Sequence, residues 1–165
     1  MDNYEIVFES ERIYYCKINE KMINDYLKMV NDPSVAAGLF RTYKEFTYEE
    51  ELEWVRDKIK DGATVFSMID KESKKFIGNV ELMQIINHSA EVGISITKEM
   101  QNKHFGTEAM RTIVNYGYEV LGLNNIYLKV FDFNKRAIKC YQNVGFVEDG
   151  LTNSSDEYKM VHKRK

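Results

Sequence analysis

A polar loop that leads into a long amphipathic helix offers the clearest chemistry in this sequence. A short β-rich run ends near Ile96, the loop follows as Gln101-Asn102-Lys103-His104-Phe105-Gly106, and apolar residues then recur at helical spacing to Leu121. The first N–H groups of a helix have no partner within it, and the helix dipole adds partial positive charge there. The junction therefore predicts a phosphate or pyrophosphate site, and Gly106 lets a ligand approach the backbone closely.

A second group of functional residue types follows at Asn134–Phe146, in the spacing N-x-x-A-x-x-x-Y-x-x-x-G-F. The segment predicts a helix that ends at Gly145, a residue suited to left-handed backbone. Tyr141 lies within this helix, and a phenol with its ordinary pKa of about 10 is a protonated hydrogen-bond donor at neutral pH. Two structural alternatives stand beside a chemical role: Tyr141 packs on an apolar face, and Asn134 caps the helix.

These two blocks resemble the acyl-CoA loop and the downstream signature of the GNAT N-acetyltransferase superfamily. The family's loop reads Gln or Arg, two residues, Gly, one residue, then Gly or Ala, and His104 stands in place of the middle glycine. A looser resemblance extends from Glu9 to Gly150, and it points to the branch that contains spermidine and ribosomal-protein N-terminal acetyltransferases. The resemblance implies acetyl-CoA as the acetyl donor and direct transfer to a primary amine, either of a polyamine such as spermidine or of a protein N-terminus.

The resemblance also implies how the cofactor would lie. In the family the fourth strand, here Glu91–Ile96, separates from the next strand and offers its backbone to the pantetheine arm, while the loop holds the pyrophosphate. Tyr141 matches the general acid that protonates the leaving thiolate. The implied cofactor-binding residues are Ile94, Ser95, Ile96, Gln101, Asn102, Lys103, His104, Phe105, Gly106, Thr107, Asn134, Ala137 and Tyr141.

His104 is the main departure from the family pattern. A side chain in place of glycine is expected to crowd the pyrophosphate, unless the loop is rearranged locally or the imidazole itself donates to phosphate. Weaker cofactor binding is the resulting expectation. The same departure leaves one alternative function open, a noncatalytic acyl-CoA-binding regulatory module, which would not need the hydroxyl of Tyr141.

Transfer to an amine requires a proton acceptor, because a primary amine is almost wholly protonated at neutral pH. Glu81 is the first candidate base, since it is the lone charge in the apolar strand segment Gly78–Leu82 and points opposite to Val80 and Leu82. Glu91, on the adjacent predicted strand, is the second candidate, and a water chain is a third route. A structural alternative for Glu81 also stays open: a solvent-facing position or a structural ion pair.

Composition places the chain among ordinary globular proteins of one domain, residues 1–165. The net charge of −3 gives no electrostatic footprint for nucleic acid and slightly favours a cationic substrate. No apolar run suits a membrane span and no leader pattern opens the chain, so we expect a cytoplasmic protein without membrane association.

Cys16 and Cys140 are predicted to be buried packing residues, and no metal is indicated because no Cys/His cluster has ligand spacing. A homodimer could form through an exposed edge of the terminal strand.

The order of predicted elements favours an α+β fold, a GNAT-type mixed, mostly antiparallel central sheet of about six to seven strands with about four helices on both faces. A turn is predicted at Asp32-Pro33-Ser34, and a capping box at Thr47–Glu50 begins the second helix. In that helix Tyr48, Leu52, Val55 and Ile59 are assigned to the apolar face and Glu49–Glu51 to the solvated side. The predicted elements cover residues 12–17, 19–30, 47–60, 64–70, 75–85, 90–97, 106–121, 125–130, 135–143, 146–150 and 157–162.

Overall fold

Eight strands and five α-helices follow one another in the computed structural model, which describes residues 4–40, 42–152 and 154–164. The strands are β1 (Ile6–Glu9), β2 (Ile13–Lys17), β3 (Thr64–Asp70), β4 (Phe76–Ile86), β5 (Ser89–Ile96), β6 (Asn125–Phe131), β7 (Phe146–Leu151) and β8 (Glu157–His162). The helices are α1 (Ile23–Val30), α2 (Pro33–Leu39), α3 (Tyr48–Lys60), α4 (Phe105–Glu119) and α5 (Lys135–Val144). The strands form one sheet in the order β1-β2-β3-β4-β5-β6-β8-β7. The predicted mixed α+β fold is confirmed, with slightly more strands and helices than the sequence indicated.

The additional strand and the additional helix both lie in the N-terminal quarter of the chain. Strand β1 pairs antiparallel with β2, with Phe8 opposite Tyr15, but three of its four residues are exposed and so give no alternating pattern. Helix α2 occupies the segment that was predicted as a turn, and that prediction was wrong. The Asp32 carboxylate accepts hydrogen bonds from the backbone of Ser34 and Val35, which makes it an N-cap with proline at the first helical position.

The first of two compact units comprises the described residues up to Glu81 together with Ile94–Phe105. Its apolar core lies between the sheet and helices α1 to α3, and α1 packs against α3. The predicted capping box is confirmed, because the Thr47 side chain accepts from the Glu50 backbone and the Glu50 side chain accepts from the Thr47 backbone. The buried core residues are Cys16, Ile18, Met22, Ile23, Tyr26, Met29, Val35, Val55, Val65, Ile69 and Phe76.

Helix α3 is rotated by about one residue from the predicted orientation. Glu51 was assigned to the solvated side, but its exposed fraction is only 7%, and burial raises the pKa of its carboxyl. Tyr48 and Ile59, which were assigned to the apolar face, are each about half exposed. The inward stripe therefore runs through Glu51 and Val55, and it turns Lys58 toward the sheet.

A buried chain of hydrogen bonds joins α1 to the middle of the sheet in this unit. The Tyr26 hydroxyl lies 2.6 Å from Ser67 Oγ, and Ser67 Oγ donates to Asn79 Oδ1 at 2.9 Å. Because the Ser67 hydrogen is used for Asn79, Tyr26 must donate to Ser67, which fixes the direction of the whole chain. Burial also raises the pKa of Tyr26 to about 12, so this donor stays protonated. These hydrogen bonds hold β4 at Asn79, two residues before Glu81.

The second compact unit comprises Leu82–Gly93 and the described residues from Gly106 onward. Strand β8 pairs antiparallel with both β6 and β7, so the prediction that the terminal strand is an exposed edge was wrong. The edge is β7, although β8 follows it in the chain. Helix α4 buries Ala109, Met110, Ile113 and Val114, and Gly117 allows it to approach Leu123 and Ile126. Within the described residues no helix combines the length and apolar character that crossing a bilayer requires.

Gly78 on β4 lies so close to the backbone of β5 that a side chain has no room. A Cβ added to Gly78 would be 1.9 Å from the carbonyl oxygen of Ser95. We expect Gly78→Ala to lower the free energy of unfolding by at least about 2 kcal/mol, because one strand must shift to relieve the clash. Urea denaturation would measure the loss.

Gly106→Ala is the matched control for this substitution. A Cβ at Gly106 would meet Cys140 Sγ at 3.6 Å, an ordinary van der Waals contact. We expect its free energy of unfolding to stay within about 0.5 kcal/mol of the parent or to rise, because alanine is favoured over glycine in a helix. Equal stability of the two variants would contradict the close approach at Gly78.

Candidate active site

The loop before α4 alternates between positive and negative φ values. Asn102 has φ +62° and His104 has φ +66°, whereas Lys103 between them keeps a negative φ. Alternation of this kind turns successive N–H groups toward one side and forms a concave site for an anion. Phe105 begins α4 directly after the loop, and its backbone N–H is one of the free N–H groups of the helix start.

His104 occupies the glycine position of the loop in a glycine-like conformation. The sequence left three possibilities open for His104: crowding of the pyrophosphate, a local rearrangement of the loop, or donation by the imidazole to a phosphate. The positive φ of His104 is a backbone conformation that glycine adopts easily. The imidazole is exposed to solvent. A left-handed conformation costs a residue with a Cβ about 1–2 kcal/mol, so the departure from glycine is a cost in backbone strain.

Gln101 fixes the start of the loop to the end of β5. Its side-chain Nε2 donates to the carbonyl oxygen of Ile96 at 3.0 Å, across the 3-10 helix Lys98–Met100. Thr97, which follows Ile96, donates its backbone N–H to the carbonyl oxygen of Ile77 on β4 at 2.8 Å. One hydrogen of the Gln101 side-chain amide is therefore used in a hydrogen bond within the protein. The family resemblance had assigned this residue to cofactor binding.

Helix α5 packs against the first turn of α4 through a small contact. Cys140 Sγ lies 3.5 Å from Thr107 Oγ1, and the missing side chain of Gly106 leaves room for the same sulfur. Burial raises the pKa of Cys140, so the thiol is neutral at physiological pH. The structure thus brings the predicted cofactor residues Gly106 and Thr107 next to the helix that carries Ala137 and Tyr141.

Tyr141 lies on α5 with its ring half-buried against Phe146, at a centroid distance of 6.2 Å. Burial raises its pKa above the ordinary value, so its hydroxyl is a hydrogen-bond donor throughout the neutral range. The packing role and the donor role are therefore compatible in this structure. Asn134 precedes α5, but among the described residues its side chain makes no capping hydrogen bond.

The C-terminal end of α5 is anchored by His162 on β8. Nε2 of His162 donates to the Val144 carbonyl oxygen at 3.2 Å, which makes Nδ1 the acceptor for the Tyr118 hydroxyl at 2.8 Å. Burial lowers the pKa of His162 and so favours this neutral ring. Gly145 ends the helix at φ +113°, as predicted. These contacts fix the helix on which Tyr141 lies.

Glu81 and Lys58 form a half-buried ion pair in the first unit. The Glu81 Oε2 to Lys58 Nζ distance is 3.0 Å, and the two side chains are only 22% and 26% exposed. The ion pair that the sequence analysis kept as an alternative is thus present. The pairing shows, in addition, that this carboxylate accepts a primary ammonium group.

Glu91 and the interruption of the sheet lie in the second unit. The parallel pairing of β5 with β6 joins Ser89–Glu91 to Asn125–Tyr127 and, in the part of the chain that the structure describes, ends there although β6 continues to Phe131. Glu91 Oε1 lies 3.9 Å from Lys129 Nζ at the end of this pairing. Ile94–Ile96, the segment that the family resemblance assigns to the pantetheine arm, is partly exposed.

The predicted site residues fall into two groups, one in each compact unit. The first unit holds Glu81 and the loop up to Phe105, and the second holds the start of α4 and the residues of α5. Sequence reasoning missed Lys58, which has no local signal because its partner lies 23 residues away. It also missed the contact of Cys140 with Thr107. The signal in the sequence was Gly106, because a residue without a side chain lets another helix approach closely.

Comparisons with known proteins agree with this architecture. A family model described as an acetyltransferase (GNAT) domain matches residues 12–147. The spermidine N(1)-acetyltransferase of Vibrio cholerae serotype O1 is 33% identical over 129 residues, which covers 75% of each protein. A crystal structure of spermidine N-acetyltransferase from Vibrio cholerae in complex with CoA and spermine superposes with a TM-score of 0.81 at 27% identity, covering 92% of this chain and 95% of that chain. A GNAT-family acetyltransferase from Bacillus anthracis shares the fold, with a TM-score of 0.83 at 20% identity over 93% of this chain and 95% of that one.

Replacing His104 by glycine tests whether the loop stores strain. We expect His104→Gly to keep or raise the free energy of unfolding, by zero to about 1 kcal/mol, because relief of the left-handed strain offsets the flexibility that glycine adds to the unfolded chain. Affinity for CoA should change less than about twofold, because the N–H groups and not the imidazole form the proposed anion site. Denaturant titration and calorimetric titration with CoA measure the two quantities.

Lys103→Gly serves as the control, because Lys103 has a negative φ and glycine relieves no strain there. We expect it to lose roughly 0.5–1 kcal/mol from chain flexibility alone. Marked weakening of CoA binding in His104→Gly, with Lys103→Gly unaffected, would instead assign the imidazole to a phosphate.

Proposed function

Because this chain belongs to the GNAT family of N-acetyltransferases, we propose that it acetylates a primary amine of a linear polyamine such as spermidine. Transfer of an acetyl group from acetyl-CoA to an amine is the activity of the family. The polyamine is supported by the relatives named above and by one observation in the structure: the Glu81 carboxylate already holds the primary ammonium of Lys58 at 3.0 Å. A substrate ammonium has the same chemistry and can take the place of Lys58.

The net charge of the chain favours the polyamine over the second acceptor class, a protein N-terminal amine. A polyamine carries several positive charges, and the chain carries a net charge of −3. A peptide would also need partners for its backbone along a groove. N-terminal peptides are therefore included among the amines tested below.

The loop and the start of α4 are proposed to hold the pyrophosphate of acetyl-CoA. The support is the alternation of φ at Asn102, Lys103 and His104, together with the free N–H groups of the first turn of α4. Acetyl-CoA supplies an activated thioester when it is bound. The partly exposed segment Ile94–Ile96 offers backbone groups for the pantetheine arm, and Asn134 and Ala137 are proposed to contact the cofactor from α5.

Glu81 and Tyr141 are proposed as the proton acceptor and the proton donor of the reaction. Glu81 takes a proton from the substrate ammonium, so that the nitrogen lone pair can attack the thioester carbonyl carbon. As the carbon–sulfur bond breaks, the Tyr141 hydroxyl gives its proton to the sulfur, which leaves as a thiol. The acylated nitrogen loses a second proton at this stage and becomes the amide. A proton returns to the Tyr141 oxygen, and Glu81 releases its own proton to solvent. The raised pKa of Tyr141 supports this assignment, because the group enters each cycle protonated. Glu91, paired with Lys129, is the second candidate base.

Removal of the Tyr141 hydroxyl should slow turnover without weakening cofactor binding. We expect Tyr141→Phe to lower kcat roughly a hundredfold, the usual contribution of a general acid, while the KM for acetyl-CoA changes less than about threefold. Thiol release from acetyl-CoA with spermidine, spermine and N-terminal peptides measures both. Tyr14→Phe, which removes a hydroxyl from β2, is the control.

Three results of this experiment lead to different conclusions. Amine-dependent thiol release that is lost in Tyr141→Phe supports the proposed transferase and identifies its acceptor. Full activity of Tyr141→Phe would remove Tyr141 from the mechanism. Cofactor binding without turnover for any amine would favour the alternative, a noncatalytic acyl-CoA-binding regulatory module.

Separate substitutions of Glu81 and Lys58 should distinguish a base from a structural ion pair. We expect Glu81→Gln to lower kcat for spermidine by about a hundredfold, because the proton acceptor is lost. Lys58→Met should keep kcat within about threefold and lower the KM for spermidine, because the competing ammonium is removed. Steady-state kinetics and thermal melting of both variants provide the data. Equal losses of activity and stability in the two variants would show that the pair is only structural.

A further inference from the structure

Arg12 lies immediately before β2, in the first compact unit. Its backbone carbonyl oxygen accepts a hydrogen bond from the Lys71 N–H at 2.9 Å, at the turn between β3 and β4. The side chain is only partly exposed. This hydrogen bond attaches the backbone of Arg12 to the turn that follows β3.

The guanidinium contacts the pyrophosphate loop on both sides of His104. Nη1 of Arg12 donates to the Lys103 carbonyl oxygen at 3.1 Å, and the guanidinium carbon lies 4.3 Å from the centroid of the Phe105 ring. Phe105 is buried and is the first residue of α4. A single side chain thus fixes the residue before and the residue after the strained position.

The hydrogen bond to Lys103 also decides where the next N–H points. In a trans peptide unit the carbonyl and the following N–H are directed to opposite sides. Because the Lys103 carbonyl points toward Arg12, the His104 N–H points away from Arg12. The contact therefore fixes the orientation of one of the N–H groups that form the anion site.

The cleft that Arg12 lines is balanced in charge. This cleft, of about 600 Å³, carries four carboxylate side chains, Glu11 and Asp70 among them, beside four cationic ones. The balance of charge gives no preference for a pyrophosphate on that side of the loop. The effect of Arg12 on the cofactor must therefore pass through the loop.

We propose that Arg12 is a positioning residue that holds the loop from Gln101 to Phe105 in the conformation that binds the pyrophosphate of acetyl-CoA, an inference that rests on the function proposed above. Loss of its contacts would release the left-handed residues Asn102 and His104 to relax. The reacting thioester lies at the far end of the pantetheine arm, so the chemistry itself would be unaffected. Arg12 thus determines affinity for donors that carry a pyrophosphate.

Comparison of two acetyl donors tests this inference. Acetyl-CoA carries the pyrophosphate and S-acetylpantetheine lacks it. We expect Arg12→Met to raise the KM for acetyl-CoA roughly tenfold, the effect of losing one hydrogen bond to a charged group. The KM for S-acetylpantetheine and kcat with either donor should change less than about twofold.

Lys75→Met is the matched control, because Lys75 lines the same cleft and is exposed. It removes the same charge without a contact to the loop, and we expect both KM values to stay at the parental level. An equal rise of the acetyl-CoA KM in Lys75→Met would assign the effect to charge and overturn the inference. An equal rise for both donors in Arg12→Met would also overturn it.

Arg12→Lys covers the case in which Arg12→Met does not fold. Lysine keeps the charge but loses the planar fork, so we expect CoA affinity to fall at least about threefold while pantetheine affinity stays constant. Calorimetric titration with CoA and with pantetheine measures this without turnover, so the result for Arg12 stands even if no amine is acetylated. An unchanged ratio of the two affinities would overturn the inference.

Discussion

The proposed anion site depends on a backbone conformation that its own residues disfavour. Main-chain N–H groups converge on a pyrophosphate only when the backbone alternates in handedness, and here Asn102 and His104 must adopt left-handed φ values without being glycine. The strain, on the order of 1–2 kcal/mol per residue, has to be offset by contacts outside the loop. Gln101 supplies one such contact to Ile96 and Arg12 supplies another to Lys103. The loop is therefore shaped by the sheet that surrounds it.

The same contacts explain why a glycine is required at a distance from the site. The Gln101 amide reaches Ile96 only if the end of β5 lies at a fixed place, and β5 is located by the approach of Ser95 to Gly78. The backbone bond from Thr97 to Ile77 continues this contact. A larger residue at Gly78 would displace the strand to which the loop is attached. The stability of the fold and the geometry of the loop therefore both depend on the spacing between β4 and β5 at Gly78.

Local sequence signals predicted most of the helices and strands. They fail where a residue far away in the chain determines burial or a contact. The capping box at Thr47 and the left-handed Gly145 depend on neighbours along the chain, so both were predictable. The sequence around Asp32 suits both a turn and an N-cap, and only packing selects the helix. The burial of Glu51, the pairing of Glu81 with Lys58 and the contact of Arg12 with the loop each depend on residues far away in the chain. The candidate site was predictable as a set of residue types, but its supporting contacts were not.

Under the proposed function, a substrate ammonium takes the place of Lys58 beside Glu81. An isolated carboxylate at this depth would carry a desolvation penalty, and the lysine removes that penalty while the site is empty. Exchange of one primary ammonium for another leaves the number of ion pairs unchanged, so the cost of admitting an amine is small. A neutral molecule cannot make this exchange and would leave Lys58 in place. The ion pair thus stabilises Glu81 when no substrate is bound, and under the proposed function it favours cationic amines. The proposed role of Glu81 as proton acceptor is compatible with its structural ion pair.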